Sequence, residues 1–309
     1  TAVTCAISLP ATLWSGANAV FKDGFASITV GSTSQTGNIN ILGGTSSSPF
    51  AYTSPLVLQQ ATTCTASTST CYIGTYGSSA TTGYIQYQGT NITTGGFTIN
   101  AARNAYLGLN TNISAISGDK VNISLATNIA SGSIDLSAGT ITLNGAGGAI
   151  NFTSDLMSLA GASNSNSIQS IGGTLNIAPQ TTSQTIGIGT GAGTLSLPTV
   201  LWDGSTTGAA PTSTNIGNAI FKPGFSMMTV GNASQTGAIA VNALVGDYLV
   251  ITSPLTIQLS TASVYRLNLY GYIKDAYTAL GNTYASASFT TLGYTAVSSN
   301  NFTQIQTAV

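Results

Sequence analysis

The chain has 309 residues, of which only 4% are charged, and a formal net charge of −1. All seven acids are Asp, and Glu and His are missing. Nothing here neutralises a run of phosphates, so no nucleic-acid partner is expected, and no basic face is available for a membrane. No apolar run reaches about 18 residues, so no transmembrane helix is expected either. The low charge does not signal disorder. Ile, Val, Leu, Tyr and Thr are plentiful, and Ser, Asn and Gly fill the polar positions, a mixture that suits strands joined by tight turns.

The first stretch is "TAVTCAISLPATLW". Ala2, Cys5, Ile7 and Leu9 are small or apolar, and Pro10 ends the run. It reads equally as the first strand of a module and as a strand donated to a neighbouring subunit. Donation would cover edges that a chain with almost no charge cannot guard. Thr1 stands without a preceding Met, which reads as a processed, exported chain with its signal peptide removed.

"GFASITVGSTSQTGNINI" follows, from Gly24 to Ile41. Ile28 and Val30 alternate with Thr29, and Ile39 and Ile41 with Asn40, which predicts a hairpin with one buried face. The stretch returns as "GFSMMTVGNASQTGAIAV" from Gly224 to Val241, identical at 10 of 18 positions. The likeness extends outward. "NAVFKDGF" at Asn18–Phe25 matches "NAIFKPGF" at Asn218–Phe225, and "TSPLVLQ" at Thr53–Gln59 matches "TSPLTIQ" at Thr252–Gln258. An "LW" pair precedes each copy, at Leu13–Trp14 and Leu201–Trp202. Two copies imply a duplicated module. Lys22 and Lys222 sit between two Phe in each copy; the plain reading is buried rings with a Lys reaching out to water, and the sharper one an isopeptide cross-link.

"CTASTSTC" places Cys64 and Cys71 a short loop apart. The spacing predicts a local disulfide and an oxidising compartment, against three free thiols with Cys5. Without CxxC or His, zinc is not expected. No D-x-D-x-D-G loop is present for calcium. Sequons for N-glycosylation occur at Asn91, Asn112, Asn122, Asn151, Asn232 and Asn301.

From about 95 to 198 the pattern changes to short apolar-x-apolar pairs, among them Phe97/Ile99, Val121/Ile123, Ile134/Leu136, Ile150/Phe152, Leu175/Ile177 and Leu195/Leu197. Stacked rungs would bury these in a continuous column, the logic of a β-solenoid. "TINAARNAYLGLNTNISA", "GSIDLSAGTITLNGAGGAINF" and "GGTLNIAPQTTSQTIGIGTGAGTLSL" resemble the β-helical repeats of filamentous-haemagglutinin-like secreted adhesins, a style also met in phage and large-virus fibres. The resemblance covers about a third of the chain. It implies a secreted, surface-exposed fibre and brings no catalytic residue with it. "GIGTGAG" at Gly187–Gly193 lacks the Lys-Ser/Thr and following helix of a phosphate loop and reads as a turn.

Beyond the second copy, "VYRLNLYGYIKD" alternates as a long, half-buried antiparallel strand, and "YASASFTTLGYTAV" from Tyr284 as another. Tyr265, Tyr270, Tyr272, Tyr277, Tyr284 and Tyr294 crowd this end. They read as strand-face residues or as a sugar-binding or subunit-contact surface.

No catalytic residue is expected. Without His or Glu, no Ser or Cys has a recognisable base. Asp119, Asp135 and Asp155 are the formal candidates for two-carboxylate glycoside hydrolysis, but each stands singly in a Gly/Ser turn. The sequence therefore predicts an all-β, non-enzymatic protein without cofactor or metal. Two homologous β-sandwich or jelly-roll-like modules, 1–94 and 199–309, flank or carry a β-solenoid-like segment, 95–198. The leading functional expectation is an extracellular structural subunit that polymerises with itself into a cell-surface filament, with strand donation as one route. The alternatives are a secreted adhesin binding surface glycans and a virion fibre or appendage protein.

Overall fold

The structure is a computed structural model that describes residues 9, 11–14, 17–45, 47–64, 71–76, 83–88, 96–108, 111–115, 120–242, 248–260, 267–269 and 272–275. In it the chain winds as a parallel β-coil, three short strands to a turn. The first rung is β1 (Ile28–Gly31), β2 (Ile39–Leu42) and β3 (Phe50–Tyr52). The second is β4 (Leu56–Gln59), β5 (Tyr72–Tyr76) and β6 (Gly83–Tyr87). The third is β7 (Gly96–Ala101), β8 (Asn104–Leu107) and β9 (Thr111–Ala115). The fourth is β10 (Asn122–Thr127), β11 (Ser133–Asp135) and β12 (Thr142–Asn144). The fifth is β13 (Ala149–Thr153), β14 (Leu156–Ser158) and β15 (Ser167–Gln169).

The sixth rung is irregular. After β16 (Thr174–Ala178) and β17 (Ile186–Ile188) the chain doubles back into β18 (Leu195–Leu197), then forms the short helices α1 (Thr199–Asp203) and α2 (Ser213–Gly217). Two rungs follow: β19 (Met227–Gly231), β20 (Ile239–Val241) and β21 (Tyr248–Ile251), then β22 (Leu255–Gln258), β23 (Leu267–Leu269) and β24 (Tyr272–Asp275).

The first strand of every rung joins one eight-stranded sheet in the order β1-β4-β7-β10-β13-β16-β19-β22. The second and third strands of rungs one to five form two five-stranded sheets, and two smaller sheets replace them after β17. Every strand pair is parallel, with the register set by stacked apolar residues. One inward column of the long sheet is Ile28, Leu56, Phe97, Ile123, Ile150, Leu175, Met228 and Leu255. A second is Val30, Leu58, Ile99, Leu125, Phe152, Ile177, Val230 and Ile257. A one-residue slip would turn both columns out to water. Each fully buried Leu, Ile or Phe contributes roughly 1.5–3 kcal/mol over an exposed one.

Among the described residues the sheets are parallel and no antiparallel sandwich forms, which corrects the fold class. β1 and β2 do not form a hairpin: β1 pairs with β4 and β2 with β5, both parallel. "VYRLNLYGYIKD" is not one antiparallel strand. Its described parts are β23, parallel to β20, and β24, parallel to β21. The physical reason is that period-two alternation fixes a buried face and says nothing about a strand's partner or direction. The long sheet runs without a break across positions 94/95 and 198/199.

Many corners between strands are closed by buried polar side chains, most of them uncharged. Asn166 accepts from the Ile141 N–H at 2.8 Å and donates to the Leu136 and Leu159 carbonyls at 2.9 and 2.8 Å. Gln60 donates to the Gly37 and Tyr72 carbonyls and accepts from the Ala102 N–H. The hydroxyls of Thr75 and Thr111 meet at 2.8 Å. Such groups satisfy backbone that the turns would otherwise leave buried and unpaired.

Candidate functional site

The duplicated stretches fold alike in detail. The Phe21 and Phe221 N–H groups donate to Leu13 and Leu201, each at 2.8 Å. Lys22 Nζ reaches the Ala17 carbonyl at 3.4 Å, and Lys222 Nζ the Gly217 carbonyl at 3.3 Å. The Phe25 and Phe225 N–H groups each donate to a serine hydroxyl, Ser54 and Ser253, at 3.2 Å. The Ala61 and Ser260 N–H groups both close on a Gln carbonyl, Gln35 and Gln235, at 2.9 Å. Trp14 packs on Phe21 with ring centroids 4.6 Å apart, and Trp202 on Phe221 at 5.1 Å. Gly31 and Gly231 both hold positive φ, 94° and 88°, and a Cβ on either would strike the carbonyl oxygen of Gln59 or Gln258. Only Gly fits that approach of one rung to the next.

What differs is what covers them. In the second copy the leading edge is paired to the preceding rung. The Ile168 N–H donates to the Ile220 carbonyl and the Lys222 N–H to the Ile168 carbonyl, both at 2.9 Å. The Gly172 N–H donates to the Gly224 carbonyl at 2.7 Å, and the Ser226 N–H to the Gly173 carbonyl at 2.8 Å. β16 then pairs along β19 from Thr174↔Met227 to Ile177↔Val230. In the first copy the matching groups, the Val20 and Gly24 carbonyls and the Lys22 and Ala26 N–H groups, have no partner among the described residues. Val20 is 63% exposed where Ile220 is 0%, and Phe25 is 52% exposed where Phe225 is 3%. The inward residues of β1, Ile28 and Val30, are half-buried, whereas Met228 and Val230 are buried.

The tryptophans show the same asymmetry. Trp202 Nε1 donates to the Leu197 carbonyl at 3.0 Å. Trp14 Nε1 is buried without a partner. The repeat extends beyond the "LW" pair: "ISLPATLW" from Ile7 matches "LSLPTVLW" from Leu195. By that match Leu9 corresponds to Leu197, the acceptor for Trp202, and Ile7–Leu9 correspond to β18. The match is masked by a spacer of unequal length, 15 residues "DGSTTGAAPTSTNIG" before "NAIFKPGF" in the second copy against three, "SGA", before "NAVFKDGF" in the first. Among the candidate donor-strand residues, Ala2, Cys5 and Ile7 lie outside the described residues, and Leu9 is 38% exposed.

The two described Asp candidates are each engaged by their own neighbours. Asp135 Oδ1 accepts from the Ser137 N–H at 2.8 Å. Asp155 is buried and accepts from the Thr181 N–H at 2.7 Å and its hydroxyl at 2.6 Å. Asp119 lies outside the described residues. Burial raises the Tyr106 phenol above its ordinary value, and Asp135, its neighbour in register, adds to that. "GIGTGAG" is the return from β17 to β18, packed so closely that a Cβ on Gly191 would meet the Ala240 carbonyl. Lys222 is pushed below its ordinary value by burial. No cluster of three metal-ligating side chains exists among the described residues. No helix among them is long and apolar enough to cross a membrane.

Cys64 and Cys71 form a disulfide, closing the loop between β4 and β5. The described sequons differ in how their side chains are engaged. Asn151 donates to the Ser124 hydroxyl at 3.0 Å and accepts from Asn176 at 2.8 Å, inside a polar ladder on the outer face of the long sheet. Asn112 is half-buried on β9 and its Oδ1 has no partner. Asn122 is exposed and accepts from the Ala149 N–H at 2.8 Å; Asn232 is half-buried and accepts from the Ser234 N–H at 2.8 Å. Asn91 and Asn301 lie outside the described residues, as do five of the six clustered tyrosines; of Tyr272 only the backbone, in β24, is described.

The chain matches no protein-family model, no curated protein and no solved structure. The feature that singles out a place on this fold is a duplicated edge, paired in one copy and without a partner among the described residues in the other.

Proposed function

We propose that this protein is a structural subunit of an extracellular, self-assembling fibre, not an enzyme. The observation that carries the reading is the eight-stranded parallel sheet, whose end strands β1 and β22 have the same inward-outward pattern as the six between them. A stack of this kind has no built-in length, because each rung offers the next the surface it received. The outward row of the sheet, Thr29, Val57, Thr98, Ser124, Asn151, Asn176, Thr229 and Thr256, is uncharged, so neighbouring molecules meet no like-charge repulsion along it. The Cys64–Cys71 bridge suits an oxidising exterior.

Negative-stain microscopy of the purified full chain tests this. Regular filaments of constant width are the expected result. Dispersed short rods at every concentration would overturn it and favour the glycan-binding adhesin instead.

A further inference from the structure

We infer that the leading edge of the first rung, Val20 to Gly31, is the docking site for the C-terminal end of a second copy of this chain, stacked head to tail so that the long sheet continues from one molecule into the next. This rests on the fibre reading above and gives it an address.

The template lies within the molecule. The second copy of the duplicated stretch shows what this edge takes when it is filled: a parallel rung that donates one N–H to the residue-220 carbonyl and another to the Gly224 carbonyl, accepts from the residue-222 and residue-226 N–H groups, and runs on as a ladder. The first copy keeps the same backbone path, with φ of 106° at Gly24 and 109° at Gly224. It therefore presents the same donors and acceptors at Val20, Lys22, Gly24 and Ala26, with no partner among the described residues. An edge with open hydrogen bonds and bare apolar side chains is a template for another strand. Lys22 and Asp23 are its only charges.

The occupant is specified by polarity and pattern. Every strand pair in the long sheet is parallel, so its two ends are different and complementary surfaces. Continuing the parallel register requires a leading edge to meet a trailing edge, a heterologous contact that repeats as an open chain, whereas two leading edges would pair antiparallel and close into a dimer. Among the described residues the trailing end of the sheet is β22, "LTIQ", with Leu255 and Ile257 buried and Thr256 turned out. That is the pattern of β16, where Leu175 and Ile177 are buried and Asn176 is turned out. Seated as β15 sits along Ile220–Lys222, β24 of one molecule, paired among the described residues only with β21, would lie along Val20–Lys22 of the next, and the long sheet would run on toward β1 from there.

The orphaned indole is the second, independent sign. Trp202 has its acceptor because β18 is held against β17 of the preceding rung. The counterpart of β18 is Ile7–Leu9, and the first copy has no preceding rung among the described residues. Trp14 lacks the acceptor that β18 gives Trp202, so its indole N–H reports on the state of this edge.

The test uses the full chain with Val20→Lys and Phe25→Asp, both exposed in the single molecule, beside Leu156→Lys, an exposed apolar residue on β14 away from both ends. Circular-dichroism melting checks that all three remain folded. Sedimentation velocity and negative stain read assembly, and the indole N–H exchange of Trp14, measured in a Trp202→Phe background, reads the edge directly. Expected: wild type and Leu156→Lys assemble, the two edge variants need at least about tenfold higher concentration, and Trp14 N–H exchange slows on assembly only where assembly survives. If the edge variants assemble like wild type, end stacking is wrong while the fibre reading stands. If wild type never leaves the monomer, both fall. A monomeric wild type whose Lys22 and Ala26 amides resist hydrogen exchange would show the chain's own terminal residues on the edge, and overturns the proposal.

Discussion

Phe25 and Phe225 occupy the same place in two copies of one motif, each with its N–H bonded to a serine hydroxyl 3.2 Å away, yet Phe225 is buried and Phe25 is half in water. The pair separates what the local sequence does from what the neighbouring rung does. Phe225→Ala should cost about 3–5 kcal/mol, the usual loss for a buried aromatic. Phe25→Ala in the monomer should cost no more than about 1 kcal/mol. Urea unfolding of dilute protein measures both. Equal losses would mean that the first edge is covered in the single molecule.

Gly31 and Gly231 give a matched check on the shared backbone. Each Gly→Ala change pushes a Cβ into a carbonyl at positive φ. Both should destabilise, by about 1–3 kcal/mol or more, since the trailing rung that supplies the carbonyl is present in both copies. A neutral change at either site would contradict the close approach of β1 to β4 or of β19 to β22.

The inward residues were legible in the sequence. Phe97 and Ile99, Ile134 and Leu136, Ile150 and Phe152, and Leu175 and Ile177 alternate with polar neighbours, and all eight are buried. The same alternation at Ile28/Val30 and Ile39/Ile41 suggested a hairpin, because a strand's partner is set by what lies a whole turn of the coil away. Leu56, the partner of Ile28, sits beyond two further strands. The candidate edge was half legible. The duplication marked the segment, but only the stack shows that one copy lies inside it and the other at its end. Asn166 and Gln60 were invisible as structural residues, since nothing in an Asn- and Gln-bearing turn announces which amide is buried at a corner.

Asn166→Ala isolates that corner chemistry. It strands the Ile141 N–H and the Leu136 and Leu159 carbonyls in a buried site. The loss should be at least about 3 kcal/mol, because each unsatisfied buried group costs about 1–3 kcal/mol. Asn176→Ala, on the outer ladder, removes a bond to Asn151 at a half-buried position and should cost about 1 kcal/mol or less. Chemical denaturation of the two variants ranks them; the reverse order would place the structural amides on the outside.

The disulfide should be felt in the same measurement. Cys64→Ser opens the loop that Cys71 anchors at the start of the second rung's β5, where the Cys71 carbonyl accepts from the Arg103 N–H at 3.1 Å. Releasing so short a loop should lower stability by roughly 2–3 kcal/mol. A reductant should then lower the melting temperature of wild type and leave that of the variant unchanged. A wild type indifferent to reductant would show that the bridge does not constrain the fold.

Acid should do little harm. Most folded proteins lose stability at low pH because carboxylates held charged in the native state must take up protons. Asp203 runs the other way. Burial raises its carboxyl above the ordinary value, against hydrogen bonds from Ser205 and Val250 that lower it. With the folded pKa above the unfolded one, its contribution to stability is fully present below the ordinary carboxylate range and is lost as pH rises through the folded value. Corners closed by Asn166, Gln60, Thr75 and Thr111 carry no titrating group, whereas Asp155 holds Thr181 at another. The melting temperature should therefore change by less than about 10 °C between pH 3 and pH 8, and Asp203→Asn should flatten whatever rise appears on the acid side. A fall of more than about 10 °C on acidification would show that charged carboxylates, not neutral amides and hydroxyls, hold this coil together.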